Sequence, residues 1–228
     1  MIVLATKNLG KVAEFERLIG KLTENLSDNS TGDNFKVLGL NDFPQMPDVA
    51  ETGSTLEENA YLKATAIAKF TKLPCLADDS GLFITALNNQ PGVYSARFAS
   101  DKFSDSTQDE IKLFATDPAR ANINKVLRKL DQKTDRSAQF RTVVAFIDLQ
   151  RNHRFDFKGV LDGRISTAAV GENGFGYDPI FIPDQDLPGS SHSAKTLAQL
   201  TGAEKDAISH RARAFAKALP VITAALKV

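Results

Sequence analysis

The chain has 228 residues, 42% of them hydrophobic, with Lys+Arg and Asp+Glu equal at 28 each. That is enough apolar material for one large domain or two intimate lobes, and the even charge balance argues against a partner such as duplex nucleic acid, which favours a basic excess. Cys75 is the single cysteine, so an intramolecular disulfide and a cysteine-based zinc cluster are excluded. No apolar run approaches the length of a membrane span, and Met1–Ala5 is too short for a signal-peptide core. A reduced, soluble, cytoplasmic protein is expected, with neither nucleic acid nor membrane as partner.

In chain order, Ile2–Ala5 reads as a short buried strand. Val12, Phe15, Leu18, Ile19 and Leu22 recur at helical spacing, which predicts a helix from Lys11 to about Leu22. Thr23–Asn34 is polar and rich in Asn, Ser, Asp and Gly, and reads as a surface loop. Phe35–Leu40 is strand-like. Thr55-Leu56-Glu57-Glu58 has the pattern of a capping box opening a helix to about Phe70.

Pro74–Ala77 predicts a short strand ended by the polar run Asp78-Asp79-Ser80-Gly81. Asp101–Asp131 is helical in character and split near Pro118. Ala138–Leu149 and His153–Leu161 predict an antiparallel hairpin turning near Arg151-Asn152. Pro183–Ser193 reads as a loop. Thr201-Gly202-Ala203-Glu204 is a second capping-box pattern, opening a last helix with Ile208, Ala212, Phe215 and Leu219 as its buried stripe. The fold class is mixed α/β.

Five segments carry chemistry. Thr6-Lys7-Asn8-Leu9-Gly10-Lys11 joins a strand to a helix, and a helix N-terminus offers free N–H groups to a phosphate. It lacks the glycine spacing and the Gly-Lys-Ser/Thr ending of a Walker A loop, and an ordinary capped turn has the same composition. Glu51 lies upstream of the helix bearing Glu58, Asn59 and Lys63, and Asp78-Asp79 follow the next strand. Hard divalent ions such as Mg²⁺ take one or two such carboxylates with substrate phosphates, although acidic pairs also cap turns. Gly174-Phe175-Gly176-Tyr177-Asp178-Pro179 combines permissive backbone, stackable rings and a carboxylate, and equally suits a strand-entry turn with core aromatics. Lys205 through Arg211 is charged in a way that a solvated helix face also is. No Ser–His–Asp triad or metal-binding His pair is evident among His153, His192 and His210.

Together these segments resemble the inosine triphosphate pyrophosphatase (Ham1-like) family nearly end to end, as one domain over residues 1–228. The resemblance rests on Thr6–Lys11, Glu51-Thr52-Gly53 with Glu58-Asn59-Ala60 and Lys63-Ala64, and Ala77-Asp78-Asp79-Ser80-Gly81-Leu82. It continues through Pro91-Gly92-Val93-Tyr94-Ser95-Ala96-Arg97, Gly171–Phe181 and Ala207-Ile208-Ser209-His210-Arg211. It implies an elongated, two-lobed α/β fold with a central mixed sheet flanked by helices and a cleft between the lobes, usually as a homodimer. The implied reaction is Mg²⁺-dependent hydrolysis of ITP, dITP and XTP to monophosphate and pyrophosphate.

By position, the resemblance implies that Thr6, Lys7, Asn8, Leu9, Gly10 and Lys11 hold the triphosphate and that Lys63 meets the phosphates. Glu51 and Asp79 would hold the metal, Asp79 also accepting the proton of the attacking water. Ser80 would contact the nucleotide, and Phe175, Gly176, Tyr177, Asp178, Lys205, His210 and Arg211 would form the nucleoside pocket. Val170 stands where the family often has a basic residue, Gln199 where an acid is common, and residues 23–34 and 100–121 are longer than usual. The rival readings are a pyrophosphatase for a modified pyrimidine nucleotide, a nucleotide-sensing module without turnover, and a nucleic-acid-binding regulator.

Overall fold

The structure, a computed structural model, describes residues 1–27, 36–39, 41–185 and 194–226. Strand β1 (Ile2–Leu4) is buried along its whole length. Helix α1 (Leu9–Ser27) starts two residues before the expected Lys11 and runs on through Ser27, so the first part of the expected 23–34 loop is helical, and residues 28–34 lie outside the described residues. The reason is legible in retrospect: Leu18, Leu22 and Leu26 are spaced by four, continuing the helical period beneath a polar composition.

After β2 (Val37–Leu38) comes α2 (Leu56–Thr71), capped by Thr55, whose side chain accepts the Glu58 N–H. The Glu58 carboxylate takes the N–H and hydroxyl of Ser54. The helix ends at Lys72 in the left-handed region (φ 61°).

Strand β3 (Cys75–Ile84) corrects the sequence reading. It does not stop at Ala77 but passes straight through Asp78-Asp79-Ser80-Gly81. Polar residues survive inside this buried strand because cations on neighbouring helices neutralise the acids. Gly81 survives because β4 (Gln90–Gly92) pairs antiparallel here, and a Cβ at Gly81 would sit 2.4 Å from the Gly92 carbonyl oxygen.

Helices α3 (Gln108–Phe114) and α4 (Pro118–Lys129) divide at Pro118 as expected. Pro118 occupies the first helical turn of α4, where its missing N–H is harmless, with Asp117 as cap. Strands β5 (Ser137–Asp148) and β6 (His153–Ile165) are sheet neighbours. They are joined by only Leu149–Asn152, with Asn152 at φ 55°, and so short a link permits only antiparallel pairing.

Strand β7 (Phe181–Pro183) pairs antiparallel with β6. The expected single last helix is two: α5 (Gly202–Ile208), closed by a full Thr201–Glu204 capping box, and α6 (His210–Leu226). They break at Ser209, whose backbone is extended (ψ 148°).

Among the described residues the sheet has seven strands in the order β2-β1-β3-β5-β6-β7, with β4 on β3; β1 is parallel to both β2 and β3. The chain divides into two compact units. The first comprises Met1–Asp79, Thr142–Gly159 and Arg211–Val228; the second comprises Ser80–Arg141 and Val160–His210. In the first, Phe15 and Leu18 of α1 and Phe215, Leu219 and Ile222 of α6 bury against Ile2, Leu4, Leu76, Val144 and Phe146 of the strands. In the second, Ile123, Val126 and Leu130 pack with Leu82, Ile84, Phe140, Leu161, Ile165 and Phe181.

Phe215 is 2% exposed and meets Phe15 edge-on at 5.6 Å between ring centroids. Truncating it leaves a cavity where α1, α6 and the sheet meet. Phe215→Ala should therefore destabilise the protein by about 3–5 kcal/mol, checked by chemical denaturation.

Candidate active site

In a strand, successive side chains point to opposite faces. Leu76 of β3 packs with α1 and α6, and Asp78 shares its face. Asp79 shares the face of Ala77, and meets α2. The carboxylate doublet is therefore split between two different charge clusters, and the two acids do not converge on one ion.

On the α2 side, Lys63 Nζ lies 2.6 Å from Glu51 Oε1 and 2.9 Å from Asp79 Oδ1. Asn59, fully buried, donates from Nδ2 to Asp79 Oδ2 at 3.3 Å and accepts the Gly53 N–H on Oδ1 at 2.8 Å. That second bond ties the Glu51-Thr52-Gly53 loop to α2. It needs glycine, because a Cβ at position 53 would lie 2.6 Å from Glu58 Cβ. From β5, Thr142 Oγ1 donates to the Asp79 carbonyl oxygen at 3.1 Å. Asn59 was not among the expected site residues, although its place among the buried positions 56, 60, 64, 67 and 68 of α2 marks it as an amide on an apolar face.

These surroundings set the protonation states. Burial lifts the Asp79 carboxyl to about 6; Lys63 pulls it down, but neighbouring Glu51 pushes it up again. Burial also opposes the charge on Glu51, yet Lys63 outweighs it and holds this carboxyl below its usual range. Lys63 is itself raised, since Asp79, Asp78 and Glu51 overcome the penalty of its burial.

On the other face, Asp78 Oδ2 receives Lys11 Nζ at 2.8 Å and Arg211 Nε at 3.2 Å. Arg211 Nη1 lies 2.7 Å from Glu14 Oε2. Burial opposes ionisation of Asp78, but Lys11, Arg211 and Lys63 hold its carboxyl far below the normal range. Burial lowers Lys11, with Asp78 resisting. Glu14 also escaped the sequence reading; its signal was an acid at position 14 on the face of α1 that carries Lys11, Phe15 and Leu18.

The Thr6–Lys11 segment forms a capped helix start. Thr6 Oγ1 accepts the Asn8 N–H at 3.2 Å and Asn8 Oδ1 accepts the Lys11 N–H at 3.1 Å. Leu9 is exposed, Gly10 is half-buried, and Lys7 pairs on the surface with Asp48 at 2.6 Å.

The remaining expected residues lie in the second unit, where Ser80 is half-buried on β3. Asp178, buried, accepts the Phe175 N–H at 2.8 Å and Lys205 Nζ at 2.6 Å. Lys205 Nζ also stands 4.6 Å from the centroid of the half-buried Phe175 ring. Gly174 (φ 76°) and Gly176 (φ 61°) turn the chain around this carboxylate; a Cβ at Gly174 would strike Asp178 Oδ2. Tyr177 lies in the core, its hydroxyl donating to the Ser95 carbonyl at 2.8 Å. His210 is buried and stacked on Phe140 at 4.9 Å. Gln199 closes a capping box with Thr196, accepting its N–H at 2.9 Å, so the amide serves where an acid is common.

Residues 2–221 match the Ham1 family. The chain belongs to that family. It is 41% identical over 216 residues to a dITP/XTP pyrophosphatase of Halalkalibacterium halodurans, covering 93% of this chain and 94% of the relative. It is likewise 41% identical to one of Geobacillus kaustophilus, covering 95% and 91%. Among solved structures, the Ham1 protein of Staphylococcus aureus aligns with a TM-score of 0.73 at 37% identity over 98% of both chains. A HAM1 protein of Coxiella burnetii gives 0.73 at 40% identity over 97% and 98%.

Among the described residues no three or more His, Cys, Asp or Glu side chains group as a metal cluster. The Ham1 chain instead brings two carboxylate oxygens, from Glu51 and Asp79, to one cation, the Lys63 ammonium. Two hard oxygens completed by substrate phosphates suit Mg²⁺, so the residues present fit that ion.

A carboxyl-carbon NMR titration of the metal-free protein should place the Asp79 midpoint near 6. Lys63→Met should move it upward, because Lys63 lowers it. The folded Asp79 keeps its proton to about 6, whereas an unfolded one releases it near about 4. Its contribution to stability is thus present at low pH and lost as pH rises through that window.

Proposed function

We propose that this chain hydrolyses noncanonical purine nucleoside triphosphates, ITP, dITP and XTP, to the monophosphate and pyrophosphate, using Mg²⁺. The observation that carries the chemistry is the Asp79 carboxylate, lifted to about 6 and held between Lys63 and Asn59. A general base works best with a pKa near the working pH. The substrate class is supported by the names of the Halalkalibacterium and Geobacillus relatives, matched across more than nine-tenths of both chains. Action as a cytoplasmic homodimer completes the proposal and rests on the family resemblance.

In this reading Asp79 takes the proton of the water attacking the α-phosphorus. Lys63, beside it, meets the charge that accumulates on phosphate oxygens. The free N–H groups at the start of α1, with Thr6, Lys7, Asn8 and Lys11, hold the triphosphate. Glu51 and Asp79 would hold Mg²⁺, which when bound supplies Lewis-acid polarisation of phosphate oxygens and activation of water. In the second unit, Ser80 contacts the nucleotide and the Phe175 ring, steadied by Lys205 and Asp178, offers a face to the base. His210 supplies a donor to O6 of hypoxanthine or xanthine, a position where adenine presents another donor, while Arg211, buried on Asp78 and Glu14 in the first unit, serves the phosphate side.

Asp79→Asn keeps the size of the side chain and removes the base. Turnover of dITP should fall by at least about 10³-fold while circular dichroism and nucleotide binding persist; near-normal hydrolysis with Mg²⁺ present would remove Asp79 from the role.

The bond that breaks is decided by running ITP hydrolysis in ¹⁸O-labelled water. Attack at the α-phosphorus puts the label in IMP. Label in orthophosphate, with IDP as first product, would mean a different class of hydrolase.

A further inference from the structure

Four charged side chains on three elements close into a ring in the first unit. Lys11 and Glu14 stand three residues apart on α1, and Asp78 of β3 and Arg211 of α6 connect them through the interior: Lys11 to Asp78, Asp78 to Arg211, Arg211 to Glu14. The side-chain exposures are 15% for Lys11, 0% for Asp78, 2% for Arg211 and 1% for Glu14. Two cations and two anions balance, and Lys11 is the member of the ring that reaches the surface. A lysine ammonium on its flexible stem otherwise samples many positions. Here it is bound to an oxygen of a buried strand residue, next in sequence to the proposed base Asp79.

We propose that Asp78 is a positioning residue, whose buried oxygen, itself fixed by Arg211, holds the Lys11 ammonium where the triphosphate meets it. This rests on the reading that Lys11 grips the phosphates. Asp78 touches neither substrate nor metal and acts through Lys11. Its loss therefore weakens binding of every nucleoside triphosphate alike and leaves the chemical step at Asp79 largely in place.

The test is a double-mutant cycle on KM and kcat for dITP and ATP, with thermal melting of each variant. Lys11→Met should raise KM by about tenfold, the size of one charge-assisted hydrogen bond. Asp78→Asn should raise KM for both nucleotides by a similar factor, with kcat within about threefold. In the Asp78→Asn background, Lys11→Met should change KM by less than about twofold, because the ammonium has already lost its place.

A full tenfold effect of Lys11→Met in that background would overturn the positioning role while leaving the phosphate role of Lys11 intact. No effect of Lys11→Met on KM in the unmodified enzyme would overturn the phosphate reading, and the positioning role with it. Should Asp78→Asn fail to fold, side-chain ¹⁵N relaxation of the lysine ammonium groups in the unmodified protein decides, with Lys11→Met assigning the signal. An ordered Lys11 ammonium supports the proposal; one as mobile as an exposed lysine overturns it.

Discussion

The Asp79 carboxylate is buried beside Glu51, and two acids in such surroundings resist ionising together unless a cation is placed with them. Lys63 is that cation, at hydrogen-bond distance from both. Much of the local architecture secures this arrangement. The Thr55 cap sets where α2 begins, and hence where Asn59 and Lys63 fall on it. Gly53 permits the loop bearing Glu51 to close on Asn59. Thr142 of β5 fixes the Asp79 backbone from the neighbouring strand. The same residue types without these supports would repel one another into solvent.

Strand β3 also explains why two consecutive aspartates do unlike things. The pleat sends Asp78 toward α1 and α6, where Lys11 and Arg211 keep it ionised, and Asp79 toward α2, where burial with Glu51 favours the protonated form. One strand thus carries a carboxylate with a permanently fixed charge and another whose proton is exchangeable near neutrality. The second unit repeats the theme with a single buried pair, Asp178 and Lys205, around which the Gly174–Gly176 turn is wrapped. In both places buried charge, paired and hydrogen-bonded, sets where a loop goes.

The sequence carried the fold class, the hairpin, the Pro118 division and the capping boxes at Thr201 and, in part, Thr55, because each depends on short-range periodicity or on the chemistry of a few adjacent residues. It misled where tertiary partners overrule local composition. Asp78–Gly81 looks like the end of a strand, and becomes its middle because Lys11, Arg211 and Lys63 arrive from distant parts of the chain. The segment after Leu22 looks like a loop because its polar residues obscure Leu26. Lys205–Arg211 looks like one helix face because nothing in its composition announces the extended backbone of Ser209. The partners Glu14, an acid, and Asn59, a neutral amide, were legible only as polar residues on largely apolar helix faces, a pattern that shows a buried group without showing what it meets.

Asn59 is held by two hydrogen bonds of opposite sense. Its oxygen faces a donor, the Gly53 N–H, and its nitrogen faces an acceptor, Asp79. The amide is thereby locked in one orientation, and its two ends are not interchangeable. Hydrolysis of this amide to Asp would exchange that nitrogen for oxygen, leave Asp79 facing an acceptor where a donor had stood, and add a third acid beside the one cation Lys63. A change of one atom at this buried side chain would thus turn a hydrogen bond into a repulsion and push the Asp79 carboxyl further up.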